Sequence, residues 1–391
     1  MTNFVDLGLS KSILRALEEM NYVEPTDIQL QSIPVTLSGR DLMASAQTGS
    51  GKTAAFALPI IECLGEPEKT PRALILVPTR ELATQVEEQF QLFAKYSKLK
   101  CVTLYGGVGY DKQIRLLSRG VDIVVATPGR LMDHVTRRTC DVSKVEILVL
   151  DEADRMLDMG FMPQVRKIIA RITKERQTLM FSATFDNRVE RLAAEYLKDP
   201  YTVRVNKKQI EPIEIEQKIF HVNEFGKDAL LAQLITDHDM NSVLVFTKTR
   251  RKASWVTNRL RDAKIMAEEI HGDISQSQRE KTLARYRDGQ FPVLVATDVA
   301  ARGLDVPSIS HVINYDLPGT PEDYVHRIGR TGRAGRSGVA FSFVSEGERY
   351  MIRDIEKVVG RQLDPNGPQG GGSRRPSPAR RMKSGGRRRI V

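Results

Sequence analysis

The 391-residue sequence is poor in cysteine and has no long apolar run. Its three cysteines, Cys63, Cys101 and Cys140, are not closely spaced, which indicates the reduced thiols of a cytoplasmic protein rather than disulfides or a zinc site. Uninterrupted apolar runs such as 73–77 are only a few residues long, so we expect no transmembrane helix. The N-terminus shows no basic segment followed by an apolar one, so we expect no signal peptide.

The chain is too long for one ordinary domain and predicts two, with 41% hydrophobic residues to build their cores. The net charge of +10 is uneven, because residues 364–391 hold eight Lys/Arg and one acid, or +7, which leaves 10 − 7 = +3 for the rest. This tail is rich in Gly, Pro, Ser and Arg and is predicted to be disordered. A basic tail favours a polyanion partner, although a solubilising extension is the alternative.

Apolar strand-like runs alternate with helical patterns along the rest of the chain. In the first half these runs are 41–45, 73–77, 102–105, 123–126, 147–150 and 178–182; in the second half they are 242–246, 266–270, 293–297, 311–315 and 338–344. Such alternation predicts an α/β fold with parallel sheets and right-handed crossovers. We predict domains at 1–206 and 218–363, a linker at 207–217 and the tail at 364–391.

The run at 145–150 ends in three carboxylates, Asp151, Glu152 and Asp154. The run is typical of a strand buried on both faces, and its carboxyl end is where open α/β sheets bind ligands. Crowded carboxylates repel one another unless a cation, such as a divalent metal ion, lies among them. A solvated acidic strand end is the alternative, and it would be preferred if the chain had no phosphate cradle.

A phosphate cradle is present upstream, between a strand-like run and a helical pattern. It consists of Ala46, Gln47, Thr48, Gly49, Ser50, Gly51, Lys52 and Thr53, a P-loop pattern in which Ala46 replaces the first glycine. Its backbone N–H groups can surround one anion at a helix N-terminus. Lys52 would reach the β/γ-phosphates and Thr53 would bind Mg²⁺. Asp151 would hold the same ion, directly or through water, and Glu152 would orient and deprotonate the attacking water.

The tetrad 151–154 also spells the signature of the DEAD-box ATP-dependent RNA helicases. The resemblance extends from Phe4 to Val344 in the family's order and spacing, and the chain looks like the short bacterial RhlE-type members. It implies two tandem RecA-like domains with a cleft between them, with ATP and Mg²⁺ as ligands and RNA as partner. It also implies local, non-processive strand separation or remodelling of RNA–protein complexes.

Residues 22–29 resemble the family's Q motif, with Phe4 as its upstream aromatic residue. An amide can pair with the N6/N7 edge of adenine, so Gln29 would select ATP, with Tyr22 or Phe4 against the base and Thr26 nearby. Asn21 stands where the family usually has glycine. The alternative is that Pro25 and Thr26 simply cap a helix.

The remaining motifs are weak singly, because each could be a helix cap or a turn. The resemblance assigns to RNA binding Pro78, Thr79, Arg80, Gly106, Gly107, Thr127, Pro128, Gly129, Arg130, Thr247, Arg250, Gly272, Gln276, Arg279, Thr297 and Asp298. Most of these follow strand-like runs and offer N–H groups, hydroxyls or arginines that suit phosphate and sugar. The resemblance assigns Gly303 and Asp305 to the nucleotide, and Asp154, Ser182, Thr184 and His326 to coupling between nucleotide and RNA.

The arginine-rich string at 326–336 is the most specific stretch of the second half. Arg330 and Arg333 fit the role of arginine fingers on the γ-phosphate. No second His or Cys lies at ligand spacing, so His326 is not expected to bind a metal. A plain solvated charge run is the less favoured alternative.

Two rival functions stay open at this stage. A translocating DNA helicase would be stimulated by DNA and would unwind long duplexes. A nucleotide-controlled RNA clamp would use the same residues without separating strands, whereas a non-enzymatic basic RNA chaperone would leave the P-loop unexplained. The sequence does not identify the RNA, and ribosomal precursors and RNA-decay proteins are both open as partners.

Overall fold

The computed structural model describes residues 3–45, 50–204, 215–238, 240–301, 309–332 and 337–364. It contains two sheets, of seven and six strands, and every strand pairing in them is parallel. The expected α/β class with two parallel-sheet domains is therefore confirmed. Within the described residues, no helix combines the length and apolar character that a membrane crossing needs.

The first sheet has the order β3-β4-β2-β5-β6-β1-β7. Its strands are β1 Leu42–Ser45, β2 Ala73–Leu76, β3 Cys101–Leu104, β4 Ile123–Ala126, β5 Ile147–Leu150, β6 Gln177–Ser182 and β7 Tyr201–Arg204. Its helices are α1 Lys11–Glu19, α2 Asp27–Leu37, α3 Lys52–Leu64, α4 Arg80–Phe93, α5 Tyr110–Ser118, α6 Pro128–Thr136, α7 Ala153–Asp158, α8 Met162–Ile169 and α9 Asn187–Tyr196, and a 3-10 turn covers Phe4–Leu7.

The second sheet has the order β10-β11-β9-β12-β13-β8. Its strands are β8 Ile215–His221, β9 Val243–Thr247, β10 Ala267–Ile270, β11 Val293–Thr297, β12 His311–Asn314 and β13 Gly338–Val344. Its helices are α10 Lys227–Asp237, α11 Arg250–Asp262, α12 Gln276–Arg287, α13 Asp298–Ala301, α14 Pro321–Ile328 and α15 Arg349–Val359, with 3-10 turns at Glu224–Gly226 and Glu346–Glu348.

Helices cover both faces of the first sheet, which is why the neighbouring strands β4, β2 and β5 are apolar at every position. In β5, Ile147 and Val149 pack into the core on one face, and Leu148 and Leu150 pack into the core on the other. All four side chains are buried. The parallel strands bring their carboxyl ends to one edge, where the polar loops gather.

The predicted strands match the observed ones to within a residue at each end, but the prediction missed β7 and β8. Both are edge strands with exposed polar positions, so they lack a continuous apolar run. Strand β8 begins at Ile215, inside the range 207–217 that was expected to be linker. The tail from 365 onward lies outside the described residues.

One buried ion pair joins the two halves. Arg279 Nη2 on α12 lies 2.7 Å from Glu81 Oε1 on α4, with both side chains about 90% buried. The carboxyl edge of the first sheet therefore lies against residues of the second domain.

Candidate active site

The end of β5 holds a buried acid beside a buried lysine. Asp151 is 2% exposed and accepts a hydrogen bond from the Glu152 N–H at 2.9 Å. Burial raises its pKa to about 6; the Lys52 ammonium opposes this shift, and the Glu152 and Asp154 carboxylates add to it. A buried carboxylate with a raised pKa favours a cation as neighbour.

Glu152 has a strained backbone and a firmly ionised side chain. Its φ of 51° and ψ of 53° are left-handed, an uncommon conformation for glutamate that tends to occur at functional sites. Burial pushes the pKa of Glu152 upward, but Arg155, Lys52 and Arg330 outweigh it and hold the pKa below the usual value. The Arg155 Nη1 donor lies 2.6 Å from Glu152 Oε2. Glu152 is thus a fixed carboxylate at neutral pH.

Asp154 ties the end of β5 to the end of β6. Its Oδ2 accepts from Ala183 N–H at 3.0 Å, Thr184 N–H at 3.2 Å and the Thr184 hydroxyl at 3.3 Å. Its Oδ1 accepts from Arg155 N–H at 2.9 Å. The Ser182–Thr184 segment is therefore held by the tetrad, as a coupling role would need.

Only the second half of the phosphate cradle is described, since Ala46, Gln47, Thr48 and Gly49 lie outside the described residues. Gly51 has a φ of +89° directly before α3, and a Cβ there would collide with the Gln29 amide. Two reasons therefore favour glycine at this position: the left-handed backbone conformation and the lack of space for a side chain. Lys52 and Thr53 open α3, and the charge of Lys52 acts on Asp151.

Hydroxyl and carboxylate oxygens of this kind suit Mg²⁺, which keeps several waters and takes few protein ligands. Thr53 and Asp151 would be such ligands. Within the described residues, no cluster of three or more His, Cys, Asp or Glu side chains could hold a metal unaided. The residues fit an ion completed by phosphates and water.

The predicted adenine residues form a rigid link to the cradle. Gln29 Nε2 donates to the Gly51 carbonyl at 3.1 Å, and the Thr26 hydroxyl donates to the Ser50 carbonyl at 2.8 Å. Gln29 Oε1 accepts from Thr26 N–H at 2.9 Å, which leaves one amide hydrogen and one lone pair for a base. Thr26 is also the N-cap of α2, in a capping box with Gln29, so the capping interpretation is confirmed, whereas the contact with adenine stays a prediction.

The nearby aromatic residues differ in accessibility. Phe4 is 4% exposed and packs in the core, 6.2 Å from the Tyr22 ring, whereas Tyr22 is half-buried. Asn21 has a φ of 54°, which asparagine tolerates better than most residues. Its substitution for the family's usual glycine therefore keeps the left-handed turn.

The second domain brings an arginine and a histidine close to the tetrad. Arg330 is buried and its charge acts on Glu152; its Nε donates to the His326 carbonyl at 3.4 Å. Burial lowers the pKa of His326, and the Asp154 carboxylate partly opposes this. His326 therefore lies beside Asp154, across the interface between the domains. Arg333, Gly303 and Asp305 lie outside the described residues.

The RNA-side residues of the first domain gather at one edge of its sheet. Thr79 caps α4 by accepting from Leu82 N–H at 3.2 Å. The Arg80 guanidinium lies so close to Gly107 that a Cβ there would collide with it, and it also lies beside Gly106. Burial lowers the pKa of Arg80. Of the other residues, Pro78, Thr127 and Pro128 are buried, Gly129 is partly exposed, and Arg130 points into the protein.

In the second domain the predicted RNA-side residues divide into two groups. Arg250 packs against Gly272, where a Cβ would lie 3.2 Å from its Nε, and its guanidinium pairs with Asp273. Thr247 and Thr297 are buried at the ends of β9 and β11, and Gln276 is buried at the start of α12. Asp298, in contrast, is held by Arg327, whose Nη2 lies 2.7 Å from its Oδ2. That carboxylate is thus engaged inside the domain.

Several residues of this site were missed by the sequence analysis. Arg155 follows Glu152 at helical spacing and could have been found from that pattern. Arg327 was noted only as part of the arginine-rich string. Gln113 and Glu81 gave no signal, because the partners of Gln113 lie on other elements of the fold and the partner of Glu81 lies in the second domain.

Comparisons with known proteins agree with this geometry. Residues 26–192 match a family model described as DEAD/DEAH box helicase, and 226–335 match one described as helicase conserved C-terminal domain. The RNA helicase CrhR of Synechocystis is 44% identical over 364 residues, covering 93% of this chain and 74% of CrhR. The DEAD-box ATP-dependent RNA helicase CshA of Bacillus cereus is 41% identical over 364 residues, covering 93% of this chain and 69% of CshA.

Two solved structures resemble this one to different degrees. Dbp5 of S. cerevisiae bound to RNA and ADP BeF3 is 33% identical, covers 92% of this chain and 94% of its own, and gives a TM-score of 0.83. A DEAD box protein from Methanococcus jannaschii is 41% identical and covers 92% of this chain and 98% of its own, but its TM-score is only 0.53. The more identical protein thus superposes less well, although it covers a similar share of this chain.

Proposed function

This chain belongs to the DEAD-box family of ATP-dependent RNA helicases, and we propose that it hydrolyses ATP in a site completed only when RNA helps to close its two domains. The split site carries this proposal. Arg330 and His326 of the second domain act electrostatically on Glu152 and Asp154 of the first. The higher TM-score against the RNA-bound Dbp5 structure supports the same arrangement.

The hydrolysis step follows from the charges in place. Lys52 and Arg330 would neutralise charge that develops on the transferred phosphoryl group. Glu152, ionised and fixed by Arg155, would orient the attacking water and accept its proton. A bound Mg²⁺ would neutralise phosphate charge and would be held by Asp151 and Thr53.

RNA and ATP would promote the same closed state. Arg80, with the loop at 106–109, and Arg250, with Gly272, would hold the strand from opposite domains. Each ligand then favours closure, so each raises the affinity for the other. Changing a mostly open population into a mostly closed one takes about 5.5 kcal/mol of differential binding, which the two ligands can share.

Strand separation would be local. A groove that grips the backbone can bend and unstack a strand at a cost of a few kcal/mol per step, enough to open a few pairs. Hydrolysis would then reopen the domains and release the strand.

The three cysteines are all free, which supports a cytoplasmic location. Ribosomal precursors and RNA-decay complexes are candidate partners.

One assay set tests the proposal. ATPase is measured with no nucleic acid, with RNA and with DNA, beside displacement of a short and a long RNA duplex. We expect stimulation by RNA, displacement of the short duplex alone, and ATP binding without turnover in Glu152→Gln. Equal stimulation by DNA with unwinding of the long duplex would favour the translocating helicase. RNA-stimulated hydrolysis without any displacement would favour the clamp.

A further inference from the structure

Arg130 is directed into the first domain rather than toward the groove. Its Nη1 donates to Gln113 Oε1 at 3.0 Å and its Nη2 donates to the Val108 carbonyl at 2.8 Å. Its guanidinium lies 4.1 Å from the centre of the Tyr110 ring. The side chain is 8% exposed. Arg130 thus anchors the loop at 106–109 from below.

Behind this arginine lies a histidine with no exposed surface. His134 Nε2 is 2.9 Å from the same Gln113 Oε1, and its Nδ1 is 2.8 Å from the Thr139 hydroxyl. Arginine can only donate, so the atom of Gln113 that faces Arg130 must be the oxygen. His134 Nε2 must therefore carry a proton, and in the neutral ring Nδ1 accepts from the Thr139 hydroxyl, which also lies 3.2 Å from the His134 carbonyl.

Gln113 transmits this arrangement to the loop. Its Nε2 donates to the Tyr105 carbonyl at 3.0 Å, while its Oε1 accepts hydrogen bonds from both Arg130 and His134. Tyr105 stands before Gly106, and Val108, held by Arg130, stands at the other end of the turn. Both ends of the segment that faces Arg80 are thus fixed from inside the domain.

We infer that His134 and Gln113 are positioning residues for RNA binding, which hold Arg130 and the loop at 105–109 in the shape that receives the RNA backbone. The inference rests on the proposed RNA-binding role of this loop. Neither residue lies among the groups around Lys52 and the tetrad, so the proposal separates RNA affinity from the chemistry of ATP. A purely structural role would instead lower stability and all activities together.

The test compares two replacements of the histidine. His134→Leu removes the Nε2 donor, whereas His134→Gln offers an amide N–H at nearly the same reach. We expect the leucine variant to need about ten-fold more RNA for half-maximal ATPase, the size of one buried hydrogen bond. Maximal rate and KM for ATP should change less than about two-fold. The glutamine variant should recover most of the RNA affinity.

Two further variants test whether the residues act as a unit. Gln113→Leu should weaken RNA affinity as much as His134→Leu. The double variant should be no worse than either single variant, because the effects of substituting contacting residues are not additive.

Thr139→Val keeps the imidazole ring of His134 but removes the hydroxyl that donates to its Nδ1, and we expect RNA affinity to weaken by only about two- to three-fold. It disturbs packing least, so it serves if the leucine variants fold poorly. His238→Leu, at the end of α10, is the matched control and should resemble the wild type.

Unchanged RNA affinity in both His134→Leu and Thr139→Val would overturn the inference. Equal loss in His134→Leu and His134→Gln, or parallel loss of maximal rate and ATP affinity, would also overturn it, since the donor would then not be the cause. Failure of the proposed function is a separate result, because the wild type itself would then show no stimulation by RNA.

Discussion

Replacing Asp151 by asparagine is expected to stabilise the ligand-free protein while abolishing its activity. Asp151 is buried, and its pKa is raised from 3.8 to about 6 chiefly by that burial. The ionised form is therefore disfavoured in the folded state relative to the unfolded one. Asparagine has nearly the same shape, cannot ionise, and can still accept from the Glu152 N–H.

The magnitude and the pH window follow from these two pKa values. A raised carboxyl pKa means that the folded state binds more protons, so stability falls as pH rises from 3.8 to 6 and is constant above that range. Ionisation of Asp151 lowers the free energy of unfolding by about 3 kcal/mol at pH 8 and by roughly half of that at pH 5. At about 2–4 °C per kcal/mol, the variant should melt about 6–12 °C higher at pH 8.

Urea unfolding followed by hydrogen exchange of first-domain amides, in EDTA and without nucleotide, measures this gain at pH 5 and pH 8. Asp158→Asn is the control: its side chain is 47% exposed and pairs with Arg188 at 2.9 Å, so it should change stability by less than about 1 kcal/mol at either pH. Adding ATP and Mg²⁺ should stabilise the wild type more than Asp151→Asn. A gain that is absent, or equal at both pH values, would refute the argument from burial.

Three further predictions concern the binding of RNA and its effect on ATP hydrolysis. Arg279→Leu should weaken RNA-stimulated ATPase and leave the affinity for ATP without RNA nearly unchanged, because it breaks the buried pair with Glu81 between the domains. Adding Glu81→Leu should restore part of the loss of about 3–5 kcal/mol, measured as the coupling energy in a double-mutant cycle. Gly107→Ala should raise the RNA concentration for half-maximal ATPase, since an L side chain is strained at a φ of +83° and its Cβ would push the Arg80 guanidinium out of its position. Deleting residues after Asp364 should weaken RNA binding at low salt, by filter binding, with intrinsic ATPase nearly unchanged; equal affinity without the tail would contradict this.

The sequence predicted those parts of the fold that local pattern controls. Interior strands such as β5 are apolar throughout because both faces are buried, and they were found within a residue. The edge strands β7 and β8 have one exposed side and were missed, since their pairing depends on neighbours distant in sequence. The same limit applies to the site: Lys52 and the tetrad were found from spacing, whereas the contacts of Gln113 and the pair between Glu81 and Arg279 exist only after folding.

The three acids of the tetrad illustrate how surroundings rather than sequence assign roles. Asp154 accepts from four donors and is fully committed to structure. Glu152 is kept ionised by arginines from its own helix and from the other domain. Asp151 is the one whose charge is poorly compensated, despite the nearby Lys52.

This difference has a consequence for the order of events. Without nucleotide, the three tetrad carboxylates face two cations, Lys52 and Arg155, so Arg330 meets a net charge of only 3 − 2 = 1 negative unit from these groups. A bound polyphosphate adds several negative charges at that point, and Arg330 then gains a strong partner in a low-dielectric site. Closure should therefore be favourable with ATP, weaker with ADP and weakest without ligand. After the terminal phosphate leaves, the attraction that held Arg330 falls, and the domains are free to release the RNA.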